Sequence, residues 1–392
     1  MTKTEKNDAK YFVGLEYWEK DQNSTGYFWS EAINSMRSKG LNVGVIHLQP
    51  RGSVQDRKPY ARYQSVPLRT LKKFLLSAKI AVSILIKAGK SDCVICGTNP
   101  ELLLALLVLF QKLKRYQFVV LVHDVFPENA LAAGVIKSES LVYRVVRRAF
   151  SWVYQQPDRM VVIGRDMKDF LEKKKRRSKP TVFIPNWVDH TDVIPMERRT
   201  SAILDELGWS EKIVFQFFGN IGRLQGIESL LTGIDQVDDP KAAFLFVGSG
   251  VQASAVQEFC QNHPEKAVKY IESIPNATRS DVLAACDVAL VSLSENMYGL
   301  GVPSKAYFAM ASDRPILAVV DEGSEIDQMI TQEQIGWICR PGDPEGFAQT
   351  VQKICDNGPN SIAGNPRRVL LEGYSKNISL DQFVNVVKGI QT

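Results

Sequence analysis

The chain has 392 residues, 45% of them hydrophobic and 23% charged, with 26 glycines and 18 prolines. That mixture excludes a collagen, a coiled coil and a disordered tail, and at roughly 150 residues per domain it predicts two or three domains. Charge is unevenly divided, since residues 1–200 carry 34 Lys and Arg against 19 Asp and Glu, and residues 201–392 carry 14 against 24.

The basic half is expected to meet something anionic: a nucleic acid, a membrane surface or a phosphate-bearing substrate. The longest good apolar run, Leu102 to Phe110, is half of the about 18–20 residues that span a bilayer. The polar start of the chain lacks the apolar core of a secretory signal. Six irregularly spaced cysteines fit reduced thiols in a cytoplasm. Export is not expected.

In chain order, Tyr11 to Leu15 reads as a short strand, Lys20 to Gly26 as a polar loop and Tyr27 to Ser38 as a helix. Past Gly40, placed as at a helix C-terminus, Asn42 to Leu48 reads as the next strand, completing a βαβ unit. Strands are then predicted at Cys93–Cys96, Phe118–His123 and Arg159–Ile163, separated by helical segments, and Val182 to Pro195 reads as a connection between domains. The alternation restarts with strands at Ile213–Phe218, Ala243–Val247, Val268–Ile271, Val288–Leu293 and Pro315–Val320. Helices are predicted at Ile227–Val237, from about Ala253, at Arg279–Ala285 and at about Leu380–Gln391. Repeated strand-then-helix order implies two parallel sheets covered on both faces, with ligands at the carboxyl ends of the strands and so in a cleft between domains.

Several motifs carry chemistry. Gly219-Asn-Ile-Gly-Arg-Leu-Gln-Gly226 closes the first strand of the second half and opens a helix. Glycines there let backbone N–H groups approach an anion, and Arg223 adds a full charge. Gly301-Val-Pro-Ser-Lys-Ala-Tyr307 repeats the logic, with Ser304 as helix N-cap and Lys305 beside it. Together the two loops favour a nucleotide diphosphate. Taken singly, each also reads as a tight turn with a surface cation.

Gly248-Ser-Gly-Val-Gln-Ala253 nearly matches a dinucleotide fingerprint, and Glu272 ends the next strand as a ribose-binding acid does. That nicotinamide-dehydrogenase reading is weakened because the motif follows the second strand of its domain. His123 and Asp124 end a strongly apolar strand where a cleft ligand is met and can hold a proton near neutral pH, the other reading being a structural pair. Cys93 and Cys96 lie inside an apolar strand and read as buried thiols. No His/Cys cluster has zinc spacing, so no metal is expected. Lys72 to Lys90, and the run Glu172-Lys-Lys-Lys-Arg-Arg177, point to an anionic membrane surface, whereas nothing accompanies the charge that reads nucleic acid.

These residues resemble the retaining glycosyltransferases of family 4, with their GT-B fold: α/β, two Rossmann-like parallel-sheet domains facing each other across a cleft. The resemblance rests on 217–231, on Phe244–Gly250 and Ala285–Ser294, and above all on Val302-Pro-Ser-Lys305 with the residues through Leu317. In the first half Ser24-Thr-Gly26 corresponds to the donor loop. His123-Asp-Val-Phe-Pro-Glu128 resembles the stretch of enzymes that transfer N-acetylated or deoxy sugars to polyprenyl diphosphates, and Ile184-Pro-Asn-Trp-Val-Asp189 the interdomain segment.

The resemblance implies an acceptor-binding domain over 1–195 and a donor-binding domain over 196–374, with 375–392 packing back on the first. It implies a nucleotide-sugar donor, a lipid-linked or glycan acceptor of surface polysaccharide synthesis, no metal or other cofactor, and a cytoplasmic location, peripheral at the inner membrane face. Gly26, Gly219, Asn220, Gly222, Arg223, Ser304 and Lys305 are then donor residues, with the base near Tyr270, Ile271 and Glu272. His123 and Asp124 are the catalytic pair. The family's paired glutamates fall on Leu300 and Phe308, with Glu295 as substitute for the first, and its usual Arg and Lys in the phosphate loop fall on Asn220 and Gln225. A catalytically silent nucleotide-sugar-binding partner of another transferase remains open at this level, whereas a sugar-nucleotide epimerase on the same fold is disfavoured because the resemblance is specific to the transferases.

Overall fold

A computed structural model describes residues 10–16, 24–47, 66–175, 179–198, 201–274 and 278–389. The first sheet holds β1 (Tyr11–Gly14), β2 (Val43–Ile46), β3 (Cys93–Gly97), β4 (Gln117–Val122), β5 (Arg159–Val162) and β6 (Thr181–Phe183) in the order β2-β1-β3-β4-β5-β6. Its helices are α1 (Ser24–Ser38), α2 (Val66–Lys87), α3 (Glu101–Lys114), α4 (Glu128–Ala132), α5 (Leu141–Val153) and α6 (Arg165–Lys175). The second sheet holds β7 (Ile213–Phe218), β8 (Ala242–Val247), β9 (Val268–Ile271), β10 (Val288–Ser292), β11 (Ile316–Val319) and β12 (Gly336–Cys339) in the order β12-β11-β10-β7-β8-β9. Around it lie α7 (Ala202–Leu207), α8 (Ile227–Asp235), α9 (Ala253–Asn262), α10 (Arg279–Ala284), α11 (Lys305–Ala311), α12 (Glu325–Glu333) and α13 (Pro344–Asn357). The described chain ends with α14 (Pro366–Gly373) and α15 (Lys376–Lys388).

Every paired strand is parallel to its neighbour. Helices cover both faces of such a sheet, so its central strands are apolar throughout, as Val119, Val120, Val161 and Val162 show by their complete burial. Cys93 and Cys96 are buried within β3, and burial pushes both thiols up. No described helix is long and apolar enough to cross a membrane.

The elements differ from the sequence reading in several places; α12, α13 and α14 were not predicted, and four further differences have a physical reason. The expected loop Ser24-Thr-Gly26 is instead the first turn of α1. Gly26 costs a helix about 1 kcal/mol, which the burial of Phe28, Trp29, Ile33 and Met36 on one side of α1 offsets. β6 lies in what reads as connection, because three residues carry too little alternation to be recognised. β12 is missed for a similar reason: it opens on a glycine, and any Cβ on Gly336 would stand 1.9 Å from the Ile316 carbonyl of β11. α15 starts at Lys376 rather than near Leu380.

α15 leaves the second sheet and lies against α1. Phe383 packs on Trp29 at 6.2 Å between ring centres, and Lys376 bridges Glu31 of α1 at 3.1 Å and Asp189 of the connecting segment. A second tie joins α6 to α12. The Arg165 guanidinium donates to Glu325 Oε2 at 2.9 Å and Oε1 at 3.0 Å, and Asp166 accepts the Gly299 N–H at 2.9 Å. Glu325 is 1% exposed, so its carboxylate depends on that partner. Truncating Arg165 leaves a buried charge unpaired. Arg165→Ala is therefore expected to cost about 3 kcal/mol of stability, read as a lowered urea midpoint; an unchanged midpoint would remove the pair from the contacts that hold the halves together.

Candidate active site

In the second sheet the chain steps from β7 to β8 and β9 in one direction, and from β10 to β11 and β12 in the other. β7 and β10 are thus the neighbours at which the connections part, and helices leaving them on opposite faces open a crevice at their carboxyl ends. β7 delivers the 219–226 turn to that crevice, and the segment after β10 delivers Ser304 and Lys305.

The turn is stapled in place. Ser292 donates to the Gln225 carbonyl at 2.6 Å, and Ser294 donates to the Arg223 carbonyl at 3.1 Å while accepting the Gly226 N–H at 3.2 Å. Gly226 has φ +58°, and a Cβ there would stand 2.7 Å from the Leu293 carbonyl, so no larger residue fits. On its other side the turn meets the Gly-Ser-Gly segment after β8. Ile221 N–H donates to the Ser249 carbonyl at 2.9 Å, and a Cβ on Gly248 would stand 2.0 Å from the Gly219 carbonyl. The dinucleotide-like glycines therefore serve to let two loops touch. They brace the first turn, and they sit one strand away from the switch point.

Lys305 opens α11 and turns into this assembly. Its ammonium donates to the Asn220 carbonyl at 3.1 Å and to Gln225 Oε1 at 2.5 Å, and lies 4.7 Å from the centre of the Phe217 ring. All three partners are neutral, so desolvation is uncompensated and lowers the lysine to about 8. Ser304 occupies the N-cap position, yet its side chain makes no cap hydrogen bond.

The opposite wall comes from the first half. The main-chain N–H groups of His123 and Asp124 donate to Thr98 Oγ1 at 3.3 and 3.4 Å, fixing the end of β4. Asp124 pairs with Gly301 as an antiparallel bridge, and Val125 N–H donates to the Leu300 carbonyl at 3.0 Å. Those bonds carry the His123 loop onto the segment that ends in Lys305. The Phe28 ring stands edge-on to His123 at 5.1 Å, and Trp187 lies beside Phe28 at 5.5 Å. Desolvation lowers His123 to about 4, so its ring is neutral at pH 7. Asp124 keeps surface open to the cleft, but the crowding walls and the nearby Glu101 charge raise its carboxyl to about 6.

The walls enclose a cleft of about 790 Å³ bordered by His123, Asp124, Gly219, Asn220, Ser304 and Lys305. Other expected residues stand apart. Gly26 is buried behind Thr25 and Tyr27, which do border the cleft. Arg223 is exposed and is not among the bordering residues, nor is Gly222. Tyr270 and Ile271 end the edge strand β9 and Glu272 follows it, two strands from β7 and hence about 10 Å along the same carboxyl edge. Glu295 points aside, its Oε1 2.6 Å from a Cβ built on Gly342 after β12. Leu300 is buried in the core, while Phe308 borders the cleft.

Sequence reasoning passed over Arg279. It borders the cleft from the start of α10, its guanidinium 5.5 Å from the centre of the Phe308 ring, one helical turn beyond Lys305. Its signal was weak: one arginine after Thr278, at a helix start fixed by the Thr278–Asp281 capping box. Trp187 was expected only as part of the interdomain segment, yet it borders the cleft and its buried indole N–H has no protein partner among the described atoms.

Two Rossmann-like sheets with a cleft at the second sheet's switch point define the GT-B class of fold. Two families match the sequence by description, Glycosyl transferases group 1 over residues 212–357 and Glycosyltransferase Family 4 over residues 27–192. The probable glycosyltransferase WbjE of Pseudomonas aeruginosa is 41% identical over 391 residues, covering 97% of this chain and 98% of that one. The putative colanic acid biosynthesis glycosyl transferase WcaI of Escherichia coli K12 is 23% identical, over 59% of this chain and 57% of its own. Among solved structures, Anabaena Alr3699/HepE in complex with UDP-glucose superposes with a TM-score of 0.69 at 14% identity, covering 97% of this chain and 99% of that one. The chain belongs to the family 4, group 1 glycosyltransferases.

The environment of His123 makes a direct prediction. Followed by NMR, its imidazole should stay neutral until the pH falls to about 4; titration near the ordinary 6.5 would mean that the cleft wall is wetter than its packing implies.

Proposed function

We propose that this glycosyltransferase moves a sugar, with retention of configuration, from a nucleotide-diphosphate donor to a lipid-linked or glycan acceptor of surface polysaccharide synthesis. The observation that carries the reading is the half-buried Lys305 ammonium, held by neutral groups and sharing one cleft with His123 and Asp124. An ammonium in that state gains most from an anion, and a diphosphate supplies one. UDP-glucose in the structurally similar Anabaena protein and colanic acid biosynthesis in the name of the Escherichia coli relative support the donor class and the kind of product.

In this reading the second half holds the donor and the first half the acceptor. Lys305, Ser304 and the 219–222 turn take the diphosphate, and the base lies toward Tyr270–Glu272. Arg279 takes the place first expected for Arg223, as the second cation in the cleft. The bond from the anomeric carbon to the diphosphate oxygen breaks as the acceptor oxygen bonds to the same face of that carbon. The acceptor proton passes to the departing phosphate oxygen, whose charge Lys305 and Arg279 stabilise without a metal ion. His123 and Asp124 orient sugar and acceptor. A neutral imidazole accepts a hydrogen bond from a sugar hydroxyl, and an ionised Asp124 stabilises positive charge developing at the anomeric carbon.

Lys305→Ala is expected to weaken binding of a nucleoside diphosphate by about 1–3 kcal/mol, and unchanged affinity by calorimetry would reject the phosphate assignment. Because Lys305 sits at about 8 when free, an arriving anion raises it. Binding at pH 8 should therefore take up a proton, and affinity should fall as the pH rises above that value. Calorimetry in buffers of different ionisation enthalpy reads both effects. Arg279→Ala should weaken the same binding more than Arg223→Ala; the reverse order would restore Arg223 to the site. His123→Ala should depress turnover with donor affinity nearly intact, measured on a panel of nucleotide sugars with lipid-linked acceptors.

A further inference from the structure

α1 leads from β1 back toward β2, whereas α2, α3 and α5 lead the other way along the first sheet. Right-handed crossovers then place α2, α3 and α5 together on the face opposite α1. Ten of the fourteen exposed large apolar side chains among the described residues lie on these three helices. Scattered surface apolar residues need no explanation, but a concentration on one layer does.

α5 shows the pattern in detail. Tyr143 and Val153 face the core. Leu141, Val145 and Trp152, at the spacing of one helical side, are 71%, 60% and 42% exposed, with Val142 next to them at 64%. Arg144 and Arg148, four apart on a neighbouring side, are exposed and enter no ion pair found among the described residues. α3 lies against α5 and adds exposed Leu109 and Leu113 with Lys112 between them. α5 contains no acid, and the single acid of α3, Glu101, stands at its start near Asp124. The face is both apolar and positive.

We propose that the outer face of α3 and α5 docks on an anionic lipid surface, with Leu109, Leu113, Val145 and Trp152 entering the headgroup boundary and Lys112, Arg144 and Arg148 meeting phosphates. The charge argues for lipid over a second copy of the chain, since two such faces would bring like charges together. The basic run first suspected is not this surface. Lys174 turns inward, 2.5 Å from Glu128 and over the Tyr154 and Phe170 rings, and residues 176–178 lie outside the described residues. Helices of parallel sheets run back from the strands' carboxyl ends, so Leu141 and Val142 stand at the cleft end of α5.

The test needs no sugar transfer, so it stands or falls apart from the proposed activity. Full-length protein is sedimented with vesicles of phosphatidylcholine alone and with vesicles of equal parts phosphatidylglycerol and phosphatidylcholine. Binding is expected to the anionic vesicles, to fall with added salt, and to drop about tenfold or more in the double variant Arg144→Glu, Arg148→Glu. The double variant Leu113→Ser, Val145→Ser should lose binding with its thermal midpoint unchanged, as these side chains are 73% and 60% exposed. Equal binding to both vesicle types, or wild-type binding by both variants, would overturn the proposal. So would a dimer in analytical ultracentrifugation that the serine variant dissociates, which would make the face a contact between copies.

Discussion

A lysine ammonium with only neutral partners is the constraint around which the second half is built. The Asn220 carbonyl, the Gln225 amide and the Phe217 ring orient Lys305 but do not neutralise it. Its position is fixed because those groups belong to a turn with almost no freedom. Ser292 and Ser294 hold one side, the Gly248–Gly250 segment holds the other, and Gly226 admits no side chain. Rigid seating matters physically, since a charge held in place before a ligand arrives needs no reorganisation when it does.

The same segment that ends in Lys305 also receives the first half of the chain. Asp124 and Val125 pair with Gly301 and Leu300, while Arg165 and Asp166 grip Glu325 and Gly299. A long-range ion pair and an antiparallel bridge thus help hold His123 and Lys305 to one cleft. α15 closes the arrangement by returning to α1 and tying Asp189 through Lys376. The positive excess of the first half is partly spent inside, as with Lys174 on Glu128, and partly displayed on α3 and α5.

Much of the fold was legible because buried parallel strands are written as short apolar runs between helices, and β4, β5, β7, β8 and β10 all follow that rule. β6 has only three residues and β12 opens on a glycine, so neither shows enough apolar side chains to read as a strand. The first turn of α1 was hidden by Gly26, whose unfavourable local preference is overridden by packing farther along the helix. Of the candidate site, His123, Asp124, Gly219, Asn220, Ser304 and Lys305 were found in the sequence and share one cleft. Arg223 and Glu295 were also plausible by spacing, but neither borders the cleft, and Glu295 lies against Gly342 instead.

By itself the sequence determined that the chain alternates strand and helix twice, that glycine-rich turns follow chosen strands, and that one half is basic. These are local properties, set by period, propensity and composition. Tertiary structure alone decided which turns are neighbours. The parting of the connections between β7 and β10 brings residues 219–225 against Lys305, and packing of α10 beside α11 supplies Arg279. Contacts between residues some eighty positions apart depend on strand order and helix direction, which no short stretch of the chain specifies.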